Sequence, residues 1–115
     1  MTKGDDTMTE TSSNYRVIGD ASELGDNQVN PYYLEDSKQR VAVARVDGRL
    51  YAFQDLCTHE SCPLSAGLLT GTVLMCQCHG SQFELSDGAV LRGPAETPLR
   101  TYSVRELDGK LEIAP

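Results

Sequence analysis

The sequence is short of positive charge and of long apolar runs. It has 10 Lys and Arg against 17 Asp and Glu, a formal net charge of -7, which repels phosphate backbones and anionic lipid surfaces. No apolar run approaches the roughly 20 residues that span a bilayer, and the N-terminal MTKGDDTMTETSSN lacks the basic start and apolar stretch of a signal peptide. We therefore expect a cytoplasmic protein that binds neither nucleic acid nor membranes.

Helical and low-complexity patterns are also scarce. The chain has 115 residues, 39% of them hydrophobic, which is enough for one globular domain with its own core. Residues 1–13 contain almost nothing apolar, so we expect a flexible N-terminal tail. The folded domain is then residues 14–115.

Two-residue turn signals dominate what remains. RVAVARV and RLYAFQ flank Asp47-Gly48, and RTYSVREL and KLEIA flank Asp108-Gly109, which predicts two hairpins. A third is predicted around residues 86–88, and DASELGD is expected to form a single helical turn or a tight loop capped by Asp20. The segment RGPAETPL is expected to be a loop because of its prolines. These patterns predict an all-β antiparallel sandwich or partly open barrel.

Cysteine and histidine are rare, and they are concentrated in two short stretches. LCTHESCPL (56–64) and MCQCHGSQF (75–83) hold all four cysteines and both histidines. A single cysteine is usually a small buried hydrophobe, but two clusters that each contain a histidine are not explained in that way. In a reducing compartment they favour a metal or redox role.

The spacing offers a ligand set of two cysteines and two histidines. Cys57 and His59 form a C-x-H unit, and Cys76 and His79 belong to a C-x-x-H unit at the end of a predicted strand. Such a set suits structural zinc or a two-iron cluster in which histidines replace two cysteines. Common zinc fingers pair cysteine with cysteine, whereas each stretch here supplies one of each, which favours the two-iron cluster.

These two stretches resemble the cluster-binding loops of the Rieske iron-sulfur family, and the resemblance extends over residues 14–115. It implies a Rieske-type β-sandwich or partly open barrel with a small cluster-binding subdomain, and one [2Fe-2S] cluster. Carried over by position, it implies that Cys57 and Cys76 bind the inner iron and that His59 and His79 bind the outer iron.

The resemblance also covers the remaining two cysteines. In one subset of the family, that of the cytochrome complexes, the cysteines that correspond to Cys62 and Cys78 form a disulfide between the loops. The alternative is a pair of reduced thiols beside the cluster. We expect the disulfide, shielded by both loops from cytosolic reductants.

Three further residues correspond to positions around the cluster. Ser81 matches a serine whose hydroxyl donates to a bridging sulfide, although it could be only a turn residue. Phe83 stands where high-potential members have a donating tyrosine, which implies a lower potential here. Pro94, unless it is a plain turn proline, belongs to a third loop, about 92–98, that covers the cluster.

The family resemblance implies a ferredoxin and not an enzyme. Such a ferredoxin would carry electrons from an NAD(P)H-dependent flavoprotein reductase to the terminal oxygenase of an aromatic-ring-hydroxylating dioxygenase system. We expect a monomer whose acidic residues, including Glu60, steer docking. The alternatives are a small Rieske subunit of a nitrite-reductase-type or respiratory system, a zinc-stabilised binding module, and a thiol-disulfide switch.

Overall fold

Ten β-strands make up most of the described part of the chain. The computed structural model describes residues 15–35, 37–58 and 62–114, so the tail expected at residues 1–13 lies outside it. The strands are β1 Arg16–Asp20, β2 Gln28–Leu34, β3 Gln39–Val46, β4 Arg49–Gln54, β5 Leu68–Thr70, β6 Val73–Met75, β7 Gln82–Glu84, β8 Val90–Arg92, β9 Thr101–Leu107 and β10 Lys110–Ala114.

The strands form two antiparallel sheets of different size. The larger has six strands in the order β1-β10-β9-β4-β3-β2, and the smaller has four in the order β5-β6-β7-β8. The two edge strands of the larger sheet, β1 and β2, lie close to each other. A Cβ added at Gly19 of β1 would lie only 3.0 Å from Cε1 of Tyr32 of β2. The predicted all-β fold, a partly open barrel with a smaller subdomain, is confirmed.

The predicted hairpins are present. At the β3–β4 turn, Asp47 and Gly48 have φ of 52° and 80°, and at the β9–β10 turn Asp108 and Gly109 have φ of 52° and 77°. Two successive left-handed residues match the right-handed twist of the flanking strands. The β7–β8 hairpin is the third predicted one.

The sequence patterns did not predict strands β2 and β5, and they predicted the wrong partner for the side chain of Asp20. β2 contains Pro31, which an edge strand tolerates because no ladder partner needs its absent N–H, and β5 is only three residues long. The expected cap by Asp20 is wrong: the 3₁₀ turn Ala21–Glu23 receives no side-chain cap, and the Asp20 carboxylate is hydrogen-bonded to Lys110 of β10 instead. A partner distant in sequence has replaced the local one.

The core has two parts that share β3. Val41 and Val43 pack on one face of that strand and Ala42 and Ala44 on the other, so both faces are buried. The second face packs against the smaller sheet in a cluster that includes Phe53, Leu64, Leu74, Phe83, Leu85 and the cysteines Cys57 and Cys76. The two cysteines therefore lie in the apolar seam between the sheets.

No helix among the described residues is long and apolar enough to cross a bilayer.

Candidate metal centre

The first cysteine loop leaves the end of β4 and returns to β5. Leu56 and Pro63 form an isolated bridge, and inside it the Cys57 N–H donates to the Cys62 carbonyl at 2.9 Å. These bonds close the loop and place Cys57 at its buried base. His59, which the sequence assigns as a ligand, lies outside the described residues.

The second loop, between β6 and β7, closes in the same way. The Cys76 N–H donates to the Ser81 carbonyl at 2.8 Å, and the Gly80 N–H donates to the Cys76 carbonyl at 2.9 Å. Gly80 has a φ of +82°, a left-handed conformation that glycine adopts without steric cost. In both loops a buried cysteine donates its N–H to the residue five positions further on, so the two loops present a cysteine at equivalent places.

The loops are held against each other at two points. A Cβ added at Gly67 would lie 2.3 Å from the Met75 carbonyl oxygen, so only glycine allows this approach without movement. Cys62 and Cys78 form a disulfide that joins the loops. Their sulfurs and that of Cys76 all lie within 4.8 Å of one another. Because two of the three are bonded together, this group is no three-thiolate metal site.

Cys57 and Cys76 remain as free, buried thiols. The pKa of the Cys76 thiol is raised, first by burial and also by the neighbouring Cys57 thiol, although the backbone N–H groups of Cys78 and His79 act in the opposite direction. Two backbone donors thus reach a sulfur beside a second thiol. This environment fits a pair of metal-bound thiolates, whose negative charge such donors stabilise.

His79 lies beyond this buried pair, at the surface of the second loop. The described ligand candidates therefore run from two sulfurs in the core to an exposed imidazole. The inner and outer iron positions that the resemblance implies stay a prediction.

A third segment, residues 93–99, covers the two loops. The Ala95 N–H donates at 3.0 Å to Oγ of Ser81, a side chain that is 1% exposed, and the Thr58 hydroxyl donates at 2.6 Å to the Thr97 carbonyl. The Ser81 oxygen accepts in this bond, which leaves its own proton for an acceptor nearby. Pro94 is exposed, and the buried contact of this segment is made by Ala95.

Phe83 follows the second loop in β7. Its ring is fully buried and packs in the same part of the hydrophobic core as Cys57 and Cys76. It brings no hydrogen-bond donor to the sulfurs.

Sequence reasoning did not identify Asp55, a fully buried carboxylate two residues before Cys57. Its oxygens accept from Arg40 at 2.9 Å and from the N–H and hydroxyl of Ser65 at 2.7 and 3.0 Å. Its carbonyl accepts from the Leu64 N–H at 2.9 Å. Asp55 therefore ties the start of the first loop to its end, and only a polar residue inside an apolar stretch could have signalled this.

We expect Asp55→Asn to lower the free energy of unfolding by about 2 kcal/mol, because it removes a carboxylate that receives charge-assisted hydrogen bonds. The new amide would also turn its N–H groups toward Arg40, itself a donor. Urea unfolding measures the change. Asp108→Asn, in an exposed turn, is the control and should change stability little. Equal losses would contradict the role of Asp55.

Comparison with known proteins agrees with this geometry. The sequence profile described as Rieske [2Fe-2S] domain matches residues 14–103. The chain is 36% identical to "Ferredoxin CarAc" of Metapseudomonas resinovorans over 74 residues. The matched residues are 64% of this chain and 69% of that protein. It is 29% identical over 107 residues to "Anthranilate 1,2-dioxygenase ferredoxin subunit" of Burkholderia cepacia, covering 92% and 97%.

A solved structure extends the likeness to three dimensions. The structure titled "Complex of reduced oxygenase and oxidized ferredoxin in carbazole 1,9a-dioxygenase" matches with a TM-score of 0.80 and 29% identity, over 88% of this chain and 93% of the matched chain.

Proposed function

The chain belongs to the Rieske [2Fe-2S] domain family, and from that premise we propose that it is the ferredoxin of an aromatic-ring-hydroxylating dioxygenase system. The observation that carries the proposal is the pair of free, buried thiols, Cys57 and Cys76, presented by two loops that close identically. A relative named as a ferredoxin and another named as the ferredoxin subunit of a dioxygenase support it. The role is electron transfer and not catalysis on a substrate.

The proposed ligands are Cys57 and Cys76 for one iron and His59 and His79 for the other. When bound, the cluster accepts and releases a single electron, and its imidazole ligands raise its potential above that of an all-cysteine cluster. Cys57 and Cys76, residues that are 5% and 2% exposed, would hold one iron where water has little access. The exposed His79 lies where a partner can approach.

The proposed partners are a terminal oxygenase and an NAD(P)H-dependent flavoprotein reductase. A solved relative that forms a complex with its oxygenase supports the first partner, and the second follows from the need of any such carrier for an electron donor. The proposal keeps the sequence-based expectation of a monomeric, cytoplasmic protein. Glu60, expected to help docking, lies outside the described residues.

Reconstitution tests this function. Anaerobically purified protein should contain iron and inorganic sulfide in equal amounts and take up one electron per cluster from NAD(P)H through a flavoprotein reductase. Addition of a terminal oxygenase should then reoxidise it, and aromatic hydroxylation should require the protein. A colourless protein that contains zinc and no sulfide would overturn the proposal in favour of a binding module.

We expect Phe83→Tyr to raise the reduction potential, on the order of tens of millivolts, because a hydroxyl at this buried position would donate to a ligand sulfur. Protein-film voltammetry measures the shift. Phe53→Tyr is the matched control, since Phe53 is equally buried in the same part of the hydrophobic core. A shift that is absent, or equal in both variants, would show that position 83 does not address the sulfur.

A further inference from the structure

We propose that a basic groove beside the first cysteine loop receives carboxylates of a protein partner during electron transfer, an inference that rests on the proposed function. The groove has a volume of about 460 Å³. Its lining includes Lys38, Arg40, Gln54, Leu56, Arg100 and Tyr102.

The groove is cationic in an acidic protein. Three of the chain's 10 basic residues line it, and none of the described carboxylates does, in a protein of net charge -7. Asp55, beneath the groove, offsets part of the charge of Arg40. Lys38 and Arg100 form no ion pair with a described residue, and both are exposed. Among the described residues, two basic side chains without an ion-pair partner therefore face the solvent here.

Two of the three cationic side chains, Arg40 and Arg100, contact neighbouring residues before any partner arrives. Arg40 donates to Asp55 at 2.9 Å, and the Arg100 guanidinium lies 5.7 Å from the centroid of the Tyr102 ring. The Gln54 amide accepts from the Arg100 N–H at 2.7 Å and donates to the Leu56 carbonyl at 2.8 Å. Prior ordering reduces the entropy lost when a carboxylate binds.

The groove adjoins two of the three segments around the cysteines. Leu56 directly precedes Cys57, and Arg100 follows the third segment, whose Thr97 accepts from Thr58 of the first loop. An anion seated in the groove would thus lie beside the base of the first cysteine loop.

Charge complementarity identifies the occupant. Most of the surface of a protein with 17 acidic residues repels carboxylates, so a carboxylate-bearing partner face finds attraction at this groove. Arg100 and Arg40 present planar guanidinium groups suited to carboxylates. A partner that places carboxylates here would be held beside the first cysteine loop.

The test compares two double variants of identical composition. Lys38→Gln with Arg100→Gln removes charge from the groove. Arg49→Gln with Lys110→Gln removes the same charges from the hairpin turns at the opposite end of the larger sheet. Both are prepared with their cluster, and their reduction potentials are measured so that a change in driving force is recognised.

Binding is measured first, without electron transfer. Hexacyanocobaltate(III), an inert trianion, is titrated into the oxidised protein, and backbone amide NMR shifts are followed. We expect shifts concentrated at residues 38–40 and 100–102, lost in the groove variant and retained in the control. Shifts that are absent there, or equally strong at Arg49 and Lys110, would overturn the proposal.

Electron exchange is measured second, by stopped-flow oxidation of the reduced protein. With hexacyanoferrate(III) at low ionic strength, the groove variant should react about threefold more slowly than the control variant, and the difference should vanish at high salt. A cationic cobalt(III) phenanthroline oxidant should not show this slowing. Equal rates for both variants with the anion would also overturn the proposal.

The two measurements separate this inference from the function on which it rests. Anion binding at the groove in a protein that exchanges electrons with neither complex would disprove the carrier role and leave anion binding intact. Electron exchange with both complexes, without anion binding at the groove, would support the carrier role and disprove the proposed role of the groove.

Discussion

Serine in place of Cys76 is expected to abolish cluster binding, so that iron and sulfide fall from about two each per chain to near zero. The Cys76 sulfur is buried, lies beside the Cys57 thiol and receives backbone N–H groups. Serine keeps the size but is a far poorer ligand, because its hydroxyl does not ionise near neutral pH. Cys57→Ser should have the same effect, since each of the two loops is proposed to supply one thiolate ligand. Iron and sulfide analysis of anaerobic preparations measures it.

The double variant Cys62→Ser with Cys78→Ser is the control for this experiment. It removes two sulfurs within 4.8 Å of Cys76, yet these form the disulfide and are not proposed as ligands. We expect it to retain the cluster in anaerobic preparations. Its free energy of unfolding should fall by about 3 kcal/mol, the value for a disulfide that closes a loop of this length, given the separation of 16 residues. Full iron in Cys76→Ser, or equally complete loss in the control, would refute the ligand assignment.

Alanine in place of Gly88 is expected to lower the free energy of unfolding by about 3 kcal/mol or more. Two costs combine there: a left-handed conformation at φ +80°, and a Cβ that would lie 2.2 Å from the Leu99 carbonyl oxygen. The first costs about 1–2 kcal/mol and overpacking typically about 1–3 kcal/mol. Because domains are usually stable by only about 5–15 kcal/mol, this is a large fraction.

Gly48→Ala separates the two costs. Gly48 has the same φ of +80° with nothing within 4 Å of an added Cβ, so only the conformational cost of about 1–2 kcal/mol should remain. Denaturant unfolding of both iron-containing variants measures the difference. Equal losses would show that the contact with Leu99 yields without cost.

The contact at Gly88 affects the site through the third segment. The Leu99 N–H donates to the Gly88 carbonyl at 2.8 Å, and Leu99 is buried at the end of the segment whose Ala95 donates to Ser81. The β7–β8 hairpin is thus packed closely against the chain that covers the cysteine loops. Gly88→Ala should loosen that cover, and faster loss of iron to a chelator would accompany the lower stability.

Features that depend on neighbours in sequence were predictable. The turn at Asp47-Gly48 needs two successive left-handed residues, and this requirement lies in the residues themselves. The pairing of a cysteine and a histidine in each stretch likewise identified the candidate ligands, because metal chemistry restricts residue type and spacing.

Features that depend on distant partners were not predictable. Asp20 was expected to cap the next turn and instead pairs with Lys110, because β10 lies beside β1 only in the folded sheet. β2 was missed since its proline is acceptable only at an edge, and edges are defined by topology.

By itself, the sequence determined the hairpins, the all-β class and the candidate ligands, because each depends on residue types at short, regular spacing. Only the tertiary structure decided that Asp55, directly after β4, binds both Arg40 of β3 and Ser65 near the end of the first loop. It alone also brought Lys38 and Arg100, 62 positions apart, to one groove. The physical reason is that hydrogen bonding and electrostatic attraction act through space between groups that only the packing of two sheets brings together.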